Sequence, residues 1–297
     1  MPVRRAFIVI RLAVVALCML GASAAQAQSP YDSGLLWRAE RPGVAASHLF
    51  GTMHVDDPRI VALPPPVRAS FDQARSFTME VSLAAPNLLA LAGRMLYTDG
   101  RTLEAAAGPE LYRKLVPVLE ARGMPEPVAR SFRPWAAMMI LAMPQQNSTE
   151  VLDFMLYRQA RARGLPVFEL ETVDDQIGAF EGMPEANQVL MLKHTVETLD
   201  TLPRQTERLI QAYLARDLAA MWRVSEESTR NRPDLKATNA LFERLLLTDR
   251  NRHMAERMQP QLQTGGAFVA VGALHLYGEQ GVLRLLEGRG WKLTRVY

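Results

Sequence analysis

Phe268-Val269-Ala270-Val271-Gly272-Ala273-Leu274-His275 is an apolar run of strand-like length that meets a glycine and, three residues later, a histidine. More than two hundred residues earlier, His48-Leu49-Phe50-Gly51-Thr52-Met53-His54 reads almost the same way. Buried parallel strands are continuous runs of this kind, and open α/β sheets bind ligands beyond the carboxyl ends of such strands. The repeated Gly-x-x-His therefore predicts two imidazoles, His54 and His275, at one rim of one sheet. Each glycine lets the backbone bend or approach closely where a larger residue would clash. A single such histidine reads as a structural, hydrogen-bonded residue. Two in matching contexts read as a site, because imidazole is both the commonest metal ligand and the usual general base.

Working outward, Leu35–Glu40 alternates like a half-buried strand and Arg41-Pro42-Gly43 is turn chemistry, so an antiparallel hairpin opens the fold. Ser76–Val81 is the next strand, and Glu80 falls where the rim lies. Its neighbours Met79 and Val81 are apolar, a setting in which an unpaired carboxylate is costly. Thr149–Arg163 is an amphipathic helix closed by Gly164, and Leu165–Leu170 a strand running into Glu171, a second rim carboxylate. Asp249-Arg250-Asn251 is a polar cluster within a helix. The Met-rich helix Ala136–Met143 reads as core packing, and His194 and His253 read as structural. The elements add up to an α/β fold: a mixed, mostly parallel central sheet with an N-terminal hairpin, flanked by helices. Large helical insertions fall at about 87–163 and 184–262.

Residues 1–27 read as a signal peptide: Arg4, Arg5 and Arg11, an apolar core Leu12–Ala22, and Ala25-Gln26-Ala27 as the cleavage site. The apolar core is too short to cross a bilayer, which takes roughly twenty residues, so no stable membrane span is expected after cleavage. Paired arginines hint at twin-arginine export. Residues 28–297 then form one α/β domain, expected in the periplasm or secreted. Of the chain's 34 basic and 31 acidic side chains the leader takes three arginines, leaving the remainder formally neutral. No basic footprint for nucleic acid remains. Cys18, the sole cysteine, leaves with the leader. Disulfides, thiolate metal sites and cysteine nucleophiles are thereby excluded, and any metal must be held by histidine and carboxylate.

Leu49-Phe50-Gly51-Thr52-Met53-His54, Met79-Glu80-Val81, Arg133-Pro134-Trp135, Leu170–Gln176, Arg250-Asn251 and Val271–Leu276 together resemble the TraB/GumN family, which also contains the Tiki proteases. Arg133 stands where Lys is more usual. The resemblance implies a fold related to erythromycin esterase and to haem-binding ChaN-type proteins. It also implies metal-dependent proteolysis of a peptide or small-molecule substrate. His54, His275 and Glu80 would hold the ion, with Glu171 as outer carboxylate or proton shuttle and Arg250 as oxyanion stabiliser. Mn, Co, Zn and Fe(II) all suit nitrogen and oxygen ligands, and the resemblance favours Mn or Co. Two other functions use the same residues: a metal-independent, esterase-like hydrolase, and a non-catalytic periplasmic protein that binds metal, haem or peptide.

Overall fold

The computed structural model describes residues 29–81, 85–144 and 151–297. The expected signal sequence at 1–27 and the helix start at Thr149 lie outside the described residues. Six strands form one sheet: β1 (Leu36–Arg41), β2 (Val44–Thr52), β3 (Ser76–Met79), β4 (Val167–Glu169), β5 (Ala267–Gly272) and β6 (Lys292–Arg295). Their order across the sheet is β4-β3-β5-β2-β1-β6. Strands β4, β3, β5 and β2 run parallel, while β1 is antiparallel to both β2 and β6. The hairpin turns at Gly43, whose φ of +77° is a left-handed conformation that glycine adopts at no steric cost.

The central strands are apolar because both faces are covered. Every residue of β5 is buried, and Phe268 meets Phe71 and Phe50 at ring-centroid distances of 5.2 and 6.0 Å. Truncating such a ring to alanine costs roughly 3–5 kcal/mol. A second hydrophobic cluster gathers around the helix Pro134–Ala142, all nine residues of which are buried. A helix apolar all round belongs inside a protein, as the sequence led one to expect. The helix Leu152–Ala162, grouped by sequence with the first helical insertion, packs instead on β3 and β4.

Parallel pairing sets the site. Thr78 and Met79 of β3 pair with Val269 and Ala270 of β5, and Gly51 and Thr52 of β2 pair with Val271 and Gly272. The carboxyl ends of β2, β3, β4 and β5 therefore share one edge, with β5 between β3 and β2. The two Gly-x-x-His turns are staggered by one residue, since Thr52 and not Gly51 lies opposite Gly272. They also leave the sheet differently: His54 sits in irregular backbone where the Val55 N–H donates to Met53 O, whereas Ala273–His275 is a single 3₁₀ turn. That turn presses on β2. A Cβ on Gly51 would lie 2.9 Å from Leu276 Cδ1 and 3.0 Å from Ala273 Cα, so the close approach requires glycine there.

Candidate functional site

Each candidate residue sits one to three positions beyond a strand: His54 after β2, Glu80 after β3, Glu171 after β4, His275 after β5. The fifth, Arg250, comes from the helix Asp249–Arg257, entered through a π-helical turn at Arg244–Thr248 in which the Asp249 N–H donates to Arg244 O. Such turns often mark functional sites. Arg250 Nη1 donates to Leu246 O at 3.2 Å, back along this same helix.

Glu80 is the hub. Its Oε1 accepts the Gly272 N–H at 2.7 Å, its Oε2 accepts Arg250 Nη2 at 2.8 Å, and His275 Nε2 stands 3.6 Å from Oε1. Arg250 also grips Glu171, Nη2 to Oε2 at 2.6 Å and Nε to Oε1 at 2.9 Å. Gln176 reaches both carboxylates, 3.4 Å from Glu80 and 3.3 Å from Glu171. A capping box between Thr172 and Asp175 starts the Gln176 helix immediately after Glu171 and so fixes that reach. All three ionic groups are buried. Burial opposes the charged carboxylate of Glu80, but His275, Arg250, His54 and the Gly272 N–H outweigh it and hold Glu80 well below the ordinary carboxylate range. Burial likewise works against the Arg250 guanidinium, and Glu171 and Glu80 more than reverse it.

The two histidines are held by different partners. His54 Nδ1 lies 2.6 Å from Asp153 Oδ2, and Thr52 Oγ1 donates to Asp153 Oδ1 at 2.6 Å. The carboxylate accepts the Nδ1 proton, so Nε2 carries the lone pair. His275 Nδ1 lies 2.6 Å from Asn251 Oδ1, while Asn251 Nδ2 donates to Gln280 O at 2.8 Å. This amide orientation makes Asn251 the acceptor and leaves the lone pair of His275 on Nε2. That nitrogen is buried without a hydrogen-bond partner. Burial pushes His275 down to about 3, against an opposing pull from Glu80, so the ring is neutral at physiological pH.

Glu80, Glu171, Arg250 and His275 are thus joined at one rim, and His54 and Glu80 border a cavity of about 20 Å³ lined also by Met79, Val81, Val151, Asp153 and Gln176. That is room for about one water or ion. Among the described residues, no three His, Cys, Asp or Glu side chains are drawn together closely enough to hold a metal. The donor chemistry nonetheless suits a cation. An orphaned imidazole nitrogen faces a carboxylate oxygen, and Glu80, Glu171 and Asp153 set three buried carboxylates against one buried guanidinium. Sequence reasoning missed Asp153, and it noticed Thr52, Gln176 and Asn251 only as parts of motifs, without a role. His194 is structural as expected, between Ser228 and Arg232.

A buried, charge-coupled site at the carboxyl rim of a mixed α/β sheet defines the class. The sequence pattern of the TraB/PrgY/gumN family matches residues 35–295, and the chain belongs to that family. The uncharacterized protein YbaP of Shigella flexneri is 25% identical over 260 residues, covering 83% of this chain and 89% of the relative. YbaP of Escherichia coli (strain K12) matches with the same identity and coverage. No solved structure matches. Among the described residues no helix is long and apolar enough to cross a membrane.

Proposed function

We propose that the chain is an exported, metal-dependent hydrolase, a peptidase in its chemistry, in which His54, Glu80 and His275 hold one divalent cation (Mn, Co, Zn or Fe). The observation that carries this reading is His275 Nε2: a neutral imidazole nitrogen, buried, without a partner, 3.6 Å from a carboxylate oxygen. Two acceptors facing each other in a dry interior repel unless a cation or proton lies between them. With neutral imidazoles, the three carboxylates and one guanidinium carry a formal excess of two negative charges, which a divalent cation would balance.

When bound, such an ion polarises a carbonyl and lowers the pKa of a water from about 16 toward 7. The rest belongs to the chain's own groups. Asn251 and Asp153 orient the two rings by accepting hydrogen bonds from their Nδ1–H groups, the outer support on which metal-binding histidines depend. The sequence suggested Arg250 as an oxyanion stabiliser. Its donors go to Glu171, Glu80 and Leu246 O, and a positioning role for the two carboxylates suits this engagement better. Glu171, behind Arg250, is the outer carboxylate. His54 borders the cavity; only with no ion on it, as in the second reading below, would its Nε2 be the group able to take a proton from an entering water.

The test is elemental analysis of protein purified without affinity metal, beside His54→Ala and His275→Ala. Near-stoichiometric metal in the parent, its loss in both variants, and peptide hydrolysis that stops on chelation and returns with added metal support the proposal. Equal metal content in all three proteins sinks it. One observation favours a second reading: the Thr52–Asp153–His54 chain is the base-and-orienter arrangement of metal-free hydrolases. That reading requires hydrolysis to survive chelation.

A further inference from the structure

An antiparallel ladder binds residues in pairs, and alternate pairs exchange both N–H···O bonds. By the register of β1 and β2, Leu35 and Gly51 would be such a pair, and it is only half made. The Gly51 N–H donates to Leu35 O at 2.8 Å, but the Leu35 N–H turns away to Tyr297 O at 2.7 Å. The carbonyl of buried Gly51 is left without its ladder donor, in an interior where an unmade hydrogen bond is costly. A side chain takes the vacant place: Tyr213 Oη donates to Gly51 O at 2.8 Å.

Tyr213 lies in the last turn of the helix Leu202–Leu214, and that end is fastened to the same corner. The Arg216 N–H donates to Tyr213 O at 2.8 Å and the Asp217 N–H to Ala212 O at 3.0 Å, a closure that usually has glycine at the left-handed position. Here the position is held by Arg216 at φ +61°, the one non-glycine residue of positive φ among the described residues. Its carbonyl accepts the Gly34 N–H at 2.8 Å, and its guanidinium lies 4.7 Å from the centroid of the Tyr297 ring. Such backbone persists where its surroundings over-determine it. Burial, then Asp153 and Tyr297, raise the Tyr213 phenol well above its ordinary value, so the hydroxyl keeps its proton and stays a donor.

Gly51 is where the two ring-bearing segments meet. The turn that carries His275 presses on it through Ala273 and Leu276. The next residue, Thr52, holds Asp153, which holds His54. We infer that Tyr213 is a positioning residue for both imidazoles. Its hydroxyl fixes the Gly51 peptide, and through it the Thr52–Asp153–His54 chain on one side and the His275 turn on the other. The inference rests on the proposed reading only in taking the two rings as one site; it does not depend on the ion.

The test is proton–nitrogen NMR of the metal-free protein with nitrogen-labelled histidine, following exchange of each assigned ring N–H with water. Tyr213→Phe deletes the hydroxyl and little else. Exchange of the Nδ1–H of both His54 and His275 should quicken about fivefold to tenfold, the worth of one ordinary hydrogen bond. His194, held by Ser228 and Arg232, should stay as it was. Ile210→Val trims the same helix without touching the hydroxyl and should lower the melting temperature while leaving all three rings unmoved. Arg216→Gly keeps the hydroxyl but frees the helix end from Tyr297, and should quicken the same two rings to a smaller degree. Unmoved rings in Tyr213→Phe, movement of one ring alone, or equal movement in Ile210→Val overturns the inference. Should Tyr213→Phe not fold, unmoved rings in Arg216→Gly overturn it. The measurement needs neither metal nor turnover, so equal metal content across the histidine variants would leave this inference standing, and unmoved rings would leave the hydrolase reading standing.

Discussion

His54 and His275 follow neighbouring parallel strands through the same Gly-x-x-His pattern, yet their surroundings differ. The His54 side chain is 12% exposed and leans on a carboxylate; that of His275 is fully buried and leans on an amide. A carboxylate stabilises an imidazolium, and an amide oxygen does so far less. The difference teaches that the motif sets only where a ring emerges from the sheet. The partner on its far nitrogen, contributed by a distant helix, decides how the ring is oriented, and burial keeps the His275 ring neutral.

The strongest way to break that contrast is to remove each ring in turn. His54→Ala and His275→Ala should each lower hydrolysis on the order of 10²–10⁴-fold. His275→Ala should empty the site of metal, and His54→Ala should lose it more gradually as external metal is diluted. Identical dilution curves would mean the two rings are equivalent. Next in size is Arg250→Ala, which strands Glu80 and Glu171 in the interior and should cost about 3–5 kcal/mol in urea denaturation. Exchanging Glu80 for Gln in the same chain should recover part of that loss.

The outer partners give a smaller and sharper test. Asp153→Ala and Asn251→Ala should each weaken metal affinity about 10–100-fold, measured by competition with a chromogenic chelator. Only Asp153→Ala should also shift the pH profile of turnover. Smallest is the acid dependence of stability. Because the folded chain holds His275 near 3 against an ordinary 6.5, the unfolded chain takes up a proton first, and stability falls as pH drops below 6.5. Glu80, held low in the fold, adds a loss in the same direction below its ordinary 4.5. Thermal melts of His275→Gln should lose the slope between pH 6.5 and 4.5 and flatten the part below it as well, because the His275 charge is the largest influence holding Glu80 low.

The rim was legible in the sequence because parallel strands gather their carboxyl ends, so a histidine after Gly51 and one after Gly272 must lie near Glu80 and Glu171. Strand runs bounded by glycine and proline are strong local signals, and the hairpin and sheet followed from them. The partners of the rings were not legible. Asp153 sits in the first turn of a helix whose Leu152, Leu156 and Ala160 are buried, a place where acids are common for reasons of helix polarity alone. Asn251 was visible in a polar cluster, but nothing local says that a helical amide faces a 3₁₀ turn 24 residues later. The stagger between the two glycines was equally hidden, because pairing register is a property of two strands.

The π-helical turn at Arg244–Thr248 ties the buried charges to a matter of counting. An α-helix advances about 100° per residue, so shortening that turn by one residue would rotate everything after it by that angle. Arg250 and Asn251 would leave the interior together, taking with them both the clamp on the two carboxylates and the prop behind His275. The turn therefore fixes the length of the helix as well as its packing, and a one-residue deletion within Arg244–Thr248 would disarm the rim without touching a single group in it.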